Sequence, residues 1–240
     1  MRSATPPPPD DRTAVARIRD AALACFAEAG VAATTVRQVA ERAGVSPALV
    51  IHHFGSKAAL RTACDAYVAG FLRERKTAAM RAGPGLDPLA LLRPDDDRVP
   101  LLPYLARVMA EGSPEVDALV DELVADAEGY LAEGVASGTV RALDHPKGVA
   151  AVLTLWSLGA LALHRHVRRL VGVDLTAPAA QLLTATGYVG PAMEILSRGL
   201  VDPEIYERLA RGAAGAAAAA PETAAPDPDV PDPAVHEEAR

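Results

Sequence analysis

Apolar positions along the chain recur at spacings of three and four, the period of helices that bury one face. Val15, Ile18, Ala22, Cys25 and Phe26 form such a stripe in a helix expected over 11–29 and closed by Gly30. Val36, Val39, Ala40 and Ala43 form a shorter one, opened by Thr34 or Thr35 as cap and closed by Gly44. Ser46 as cap and Pro47 in the first turn restart a helix that carries Val50 inward and ends near Phe54. After Gly55, Ser56 caps a long helix over 56–80. Residues 82–100, broken by Gly83, Pro84, Gly85, Pro88, Pro94 and Pro100, read as a connector. A short helix over 103–112 carries Tyr104, Leu105, Val108 and Met109. Ser113-Pro114 opens another, striped by Val116, Leu119, Leu123, Ala127, Tyr130 and Leu131, to about Ala136. A continuous apolar helix is expected from His145–Lys147 to about Leu170, ending in the basic run HRHVRR. A further helix over 178–199 is expected to kink at Gly190-Pro191, and a short one covers 202–211. The class is all-α.

The stretch TTVRQVAERAGVSPALVIHHFGSKAAL (34–60) organises the chain. A small residue, Ala40, stands four positions before the turn glycine Gly44, with apolar Val39, Ala43, Val45 and Val50 around it. Two helices crossing steeply need that pattern, which is a helix-turn-helix. If Val45 and Val50 face the core, Pro47, Ala48, Leu49 and His52 are left toward a DNA groove, where Ala48 and Leu49 meet thymine methyls and His52 bonds a base edge or a phosphate. Thr35, Ser46, His53 and Lys57 stand around the rim as phosphate holders. Lys57 occupies a first helical turn, where a cation opposes the helix dipole unless an anion comes to that spot.

Residues 18–60 resemble the DNA-binding domain of the tetracycline-repressor (TetR/AcrR) family of bacterial transcription regulators. The matching segments are IRDAALACFAEAG (18–30), ATTVRQVAERAGVS (33–46) and HHFGSKAAL (52–60). The family usually carries a tyrosine where Ile51 stands, so that hydroxyl's phosphate contact is absent here. The resemblance implies a phosphate-binding role for Lys57, an effector pocket among the middle helices and a dimer built on the last ones.

Composition and charge narrow the function. The net charge of −7 alone argues against nucleic acid, but residues 1–80 hold 11 Lys+Arg against 7 Asp+Glu, net +4, and residues 81–240 are net −11. A basic end on an acidic body orients toward a phosphate backbone. Cys25 and Cys64 lack metal or CxxC spacing and read as small core residues of a reduced, cytoplasmic protein. The N-terminus has no signal-peptide pattern, and the apolar run 148–163 is shorter than the roughly 20 residues of a membrane span. His164 and His166 point to different helix sides, and the familiar nucleophile, phosphate-loop and zinc motifs are missing, so no metal, cofactor or catalytic site is expected.

The expected organisation is an arm (1–10), a three-helix DNA-binding domain (11–57), a connecting helix (58–80), an α-helical effector and dimerisation domain (81–212) and a disordered Ala/Pro/acid tail (213–240). Tyr104, Met109, Tyr130, Trp156 and His164 are candidates to line an effector pocket. Helices 147–170 and 178–199 are candidates for a four-helix bundle between two chains, with Gly159 and Ala162 allowing close approach. The function expected is a homodimeric repressor of double-stranded DNA operators, released by a small organic molecule. The competing class is a helical enzyme or interaction module that keeps the helix-turn-helix for packing alone.

Overall fold

The structure is a computed structural model that describes residues 9–83, 100–177, 186–200, 202, 204–208 and 211. Among them every regular element is helical: α1 (Pro9–Ala29), α2 (Val36–Ala43), α3 (Pro47–Phe54), α4 (Lys57–Arg81), α5 (Leu101–Glu111), α6 (Pro114–Ser137), α7 (Pro146–Ala162), α8 (His164–Val171) and α9 (Thr186–Arg198). Residues 204–208 add a short helical segment. The connector (84–99), the tail from 212 and positions 178–185 of the last long helix lie outside the described residues. The chain divides into two compact units, 1–190 and 191–240, with the boundary inside α9 just before Pro191.

The first unit begins with the helix-turn-helix, and its local chemistry accounts for each boundary. Thr35 caps α2 through a capping box: Gln38 N–H donates to Thr35 Oγ1 at 3.2 Å and Thr35 N–H to Gln38 Oε1 at 2.7 Å. Gly44 takes φ 66°, a left-handed conformation that a side chain would strain, and Val45 N–H returns to Ala40 O at 2.9 Å. Ser46 Oγ accepts from Leu49 N–H at 3.2 Å to start α3, and Ser56 Oγ from Ala59 N–H at 3.0 Å to start α4. Thr34 is a core residue rather than the cap; it is buried and donates its hydroxyl to Gly30 O at 2.7 Å.

One core runs through the helix-turn-helix end and the middle helices. Ile18, Ala22, Phe26, Val39, Ala40, Val50, Leu60, Cys64 and Val68 belong to the same cluster as Tyr104, Leu105, Val108, Leu119 and Leu158. The Phe26 and Tyr104 rings lie 6.2 Å apart. A smaller cluster of Ala127, Tyr130, Leu131 and Ala150 sits toward the far end of α6. Ala150, Thr154, Leu158 and Leu161 are the inward face of α7, at helical spacing.

Three expectations are corrected. The first helix starts at Pro9, so the last two positions of the expected arm are helical, and Val15 of its stripe is exposed while Ala14 is buried. The long apolar helix is two helices, bent by 79° at Leu163. Leu163 leaves helical geometry at φ −96°, ψ 20°, and the His164 ring nitrogen Nδ1 bonds the Leu161 carbonyl at 3.0 Å, a side chain inserted into the helical ladder. Beyond the bend Arg165, His166, Arg168 and Arg169 of the basic run are exposed, with Arg168 reaching Asp174 at 3.6 Å. No single helix among the described residues is long and apolar enough to cross a membrane; the bent pair α7–α8 reaches the length and composition only jointly.

In the second unit the rest of α9 carries exposed Met193 and Leu196, Ser197 donates to Met193 O at 2.7 Å, and Gly199 at φ 76° ends the helix.

Candidate nucleic-acid interface and effector cavity

The outer face of α3 is small and nearly without hydrogen-bonding groups. Ser46, Pro47, Ala48 and His52 are exposed, Leu49 is half-buried, and His53 is half-buried with its ring 5.3 Å from that of His52. Ile51 is 44% exposed on the same side, three positions from Ala48, and adds its apolar side chain to this face.

Lys57 departs from expectation. Its ammonium donates to three carbonyls of the α1–α2 link: Val31 at 3.0 Å, Ala32 at 3.2 Å and Thr34 at 2.9 Å. All three of its donors are spent inside the protein. A cation in the first turn of α4 is thus explained by the carbonyls facing it. One helix earlier, Arg37 stands exposed in the first turn of α2 beside the Thr35 cap. Arg42, by contrast, is held bidentately by Glu28 at 2.7 and 2.8 Å, which keeps that carboxyl below its ordinary value.

The link is also gripped by α5. Arg107 Nη2 donates to Ala29 O at 3.2 Å, and Glu111, paired with Arg107 Nε at 2.8 Å, accepts from Val31 N–H at 3.4 Å. Gly30 stands at φ 86° against these side chains; any Cβ there would collide with Glu111 and Arg107. Further along, Tyr104 of α5 donates to Asp65 of α4, and Asp65 also accepts from Arg61 Nε at 3.4 Å. Arg61 continues to Ser113 Oγ at 3.3 Å, so α4, α5 and the start of α6 meet in one buried polar cluster. Burial raises the Asp65 carboxyl above its ordinary value against the opposing pull of Tyr104 and Arg61, and burial beside Asp65 pushes the Tyr104 hydroxyl far up, so it stays a donor. Burial likewise raises both thiols, Cys64 to about 12, which leaves Cys25 and Cys64 as inert core groups.

A cavity of 260 Å³ opens between α4, α5, α6 and α7. Leu72, Leu102, Leu105, Leu123, Leu158, Leu161 and Leu175 form its apolar bed, with Lys76, Tyr130, Thr154 and Tyr188 among its polar groups. Of the five expected lining residues only Tyr130 faces it. Tyr104 points to Asp65 instead, Met109 packs against the main core, and His164 closes the α7–α8 bend. Trp156 is half-buried and does not line the cavity. The leucines were invisible as a site because a cavity wall and a core have the same periodicity. No cluster of metal-ligating side chains occurs among the described residues.

Comparison with known proteins agrees with this architecture. Residues 18–64 match the family described as "Bacterial regulatory proteins, tetR family", and residues 96–202 match "Tetracyclin repressor-like, C-terminal domain". The chain is 38% identical over 208 residues, 86% of its length and 93% of the relative's, to the HTH-type transcriptional regulatory protein RaaS of Mycobacterium tuberculosis. Over 63 residues, 26% of this chain and 31% of the relative, it is 46% identical to the HTH-type transcriptional regulator BetI of Rhizobium meliloti. Its fold is similar to that of SmeT, the repressor of the Stenotrophomonas maltophilia multidrug efflux pump SmeDEF, with a TM-score of 0.50 and 22% identity over 81% of this chain and 96% of that one. The protein is an all-α, helix-turn-helix DNA-binding transcriptional regulator. It belongs to the tetR family.

Proposed function

We propose that the protein is a homodimeric repressor that binds a two-fold symmetric DNA operator and leaves it when a small organic molecule enters the cavity. The observation that carries this is the pairing of an exposed apolar face on α3 with a leucine-lined cavity whose wall helices, α4 and α5, also hold the helix-turn-helix. In the groove, Ala48, Leu49 and Ile51 meet thymine methyls and His52 takes a base edge. Thr35, Ser46 and Arg37 hold phosphates at the rim, with His53 beside them, while Lys57 acts indirectly by fixing the link.

Two heads must sit about 34–36 Å apart to read successive half-sites, which requires a dimer. The exposed Val152 and Leu155 on α7, with Leu163 just past its end, are suited to cover by a second copy. The protein acts in the cytoplasm and has no catalytic role. Effector entry displaces α5 and α4, which changes the separation of the two heads. A mobility-shift titration on the DNA flanking the protein's own gene tests the proposal. Retardation by the wild type, lost in the Ala48→Glu variant of equal stability, is expected; retardation that Ala48→Glu leaves intact contradicts the assignment of α3.

A further inference from the structure

The cavity's polar groups are unevenly matched. Arg73 is neutralised where it stands: its Nη1 donates to Asp126 at 3.0 and 3.2 Å and lies 3.8 Å from Glu122. Lys76, one turn on along α4, has no carboxylate partner among the described residues. Its ammonium donates to the Tyr130 hydroxyl at 3.2 Å and lies 5.1 Å from that ring. A neutral phenol is a weak partner for a cation half-withdrawn from water, and an ammonium has two more protons to donate. On the α7 wall Thr154 is 93% buried and its hydroxyl has no hydrogen-bond partner, a costly state for a buried polar group. A threonine in a helix normally spends that hydroxyl on the preceding turn, so its orphan state at a cavity wall points to a ligand atom. Around these groups the bed is leucine.

We propose that this cavity takes an amphipathic organic acid, with its hydrocarbon body on the leucine bed and its anionic head held by the Lys76 ammonium and the Thr154 hydroxyl. The assignment rests on the effector role proposed above for the same cavity. Tyr130 stays in place as the acceptor that orients the ammonium. A carboxylate supplies acceptors for both donors and leaves the Arg73–Asp126 pair undisturbed. Neutral molecules of the same shape satisfy Thr154 but leave the cation unmatched, and cationic ones add repulsion.

The test uses three ten-carbon probes on the full-length chain, by titration calorimetry below micelle concentration: decanoate, 1-decanol and decylamine. Decanoate is expected to bind about tenfold more tightly than decanol, and decylamine most weakly. Lys76→Met keeps the methylene stem and removes the charge. It is expected to abolish the preference for decanoate while leaving decanol affinity within about twofold. Thr154→Val, which replaces the orphan hydroxyl by a methyl, is expected to weaken decanoate several-fold with no loss of thermal stability. Decanol binding as tightly as decanoate, or a Lys76→Met variant that keeps the preference, overturns the acid assignment and leaves the cavity an apolar effector site. If none of the probes binds, the effector role of the cavity falls with it.

Discussion

The hydroxyl of Tyr104 donates to Asp65 at 2.5 Å, joining α5 to α4 in the middle of a shared core. Leu105, next to Tyr104, lines the cavity, and Arg107 and Glu111 at the end of the same helix grip the α1–α2 link. α5 therefore touches the cavity, the connecting helix and the DNA-binding end within eleven residues. Tyr104→Phe removes the donor and leaves a buried carboxylate oxygen without it. A loss of about 1–3 kcal/mol in urea-unfolding free energy is expected; an unchanged midpoint and slope would show that water replaces the hydroxyl.

The same pair sets a pH dependence. Burial raises the Asp65 carboxyl in the folded chain, so the folded state binds this proton more readily than the unfolded one. Its contribution to stability is then fully present below the unfolded value near about 3.9 and is lost as pH rises through the raised folded value. The stability of wild type relative to Asp65→Asn should fall over that window and level off above it. A relative stability that climbs with pH would mean that pairing with Arg61 outweighs burial.

Lys57 and Arg37 should separate holding the fold from holding DNA. Lys57→Met frees three carbonyls of the link, and a loss of about 1–2 kcal/mol of stability is expected, with the salt dependence of DNA binding unchanged. Arg37→Ala should leave stability alone and lower the salt slope by about 1.8, about 0.9 for the one phosphate released at each of the two symmetric copies. Anisotropy titrations across salt concentrations, with parallel melts, decide it. A slope lowered by Lys57→Met restores that lysine to the phosphate rim.

Leu155, 57% exposed on α7, tests the dimer without touching the core. Leu155→Glu should keep the melting behaviour of the isolated chain and halve the mass in light scattering. A buried leucine is worth about 1.5–3 kcal/mol and two-fold symmetry counts it twice. A wild type that is monomeric at micromolar concentration would remove the premise.

The helices and the helix-turn-helix were legible in the sequence because caps, turn glycines and apolar spacing are local. Ser46, Ser56 and Gly44 do in space what their spacing announces. The break at Leu163 was not legible, since neither proline nor glycine marks it and it depends on His164 turning back onto a carbonyl. The bonds of Lys57 were not legible for a related reason: its partners lie 23 to 26 residues away, where no spacing rule reaches. Tyr104 looked like a pocket residue because a buried tyrosine on an apolar stripe gives no sign of which wall its hydroxyl faces. Asp65, the group it serves, is an acid among the apolar positions of α4 that the stripe pattern passes over.

The most direct measurement is in-vitro selection of a random duplex library on the wild-type protein, followed by affinity titration of the selected sequence and of random DNA at one fixed salt concentration. A regulator that reads DNA with α3 should enrich a two-fold symmetric motif and bind it at least about 10³-fold more tightly than random DNA. The Ala48→Glu variant should lose the motif. If no motif is enriched, or if Ala48→Glu enriches the same motif with the same preference, α3 does not read the operator.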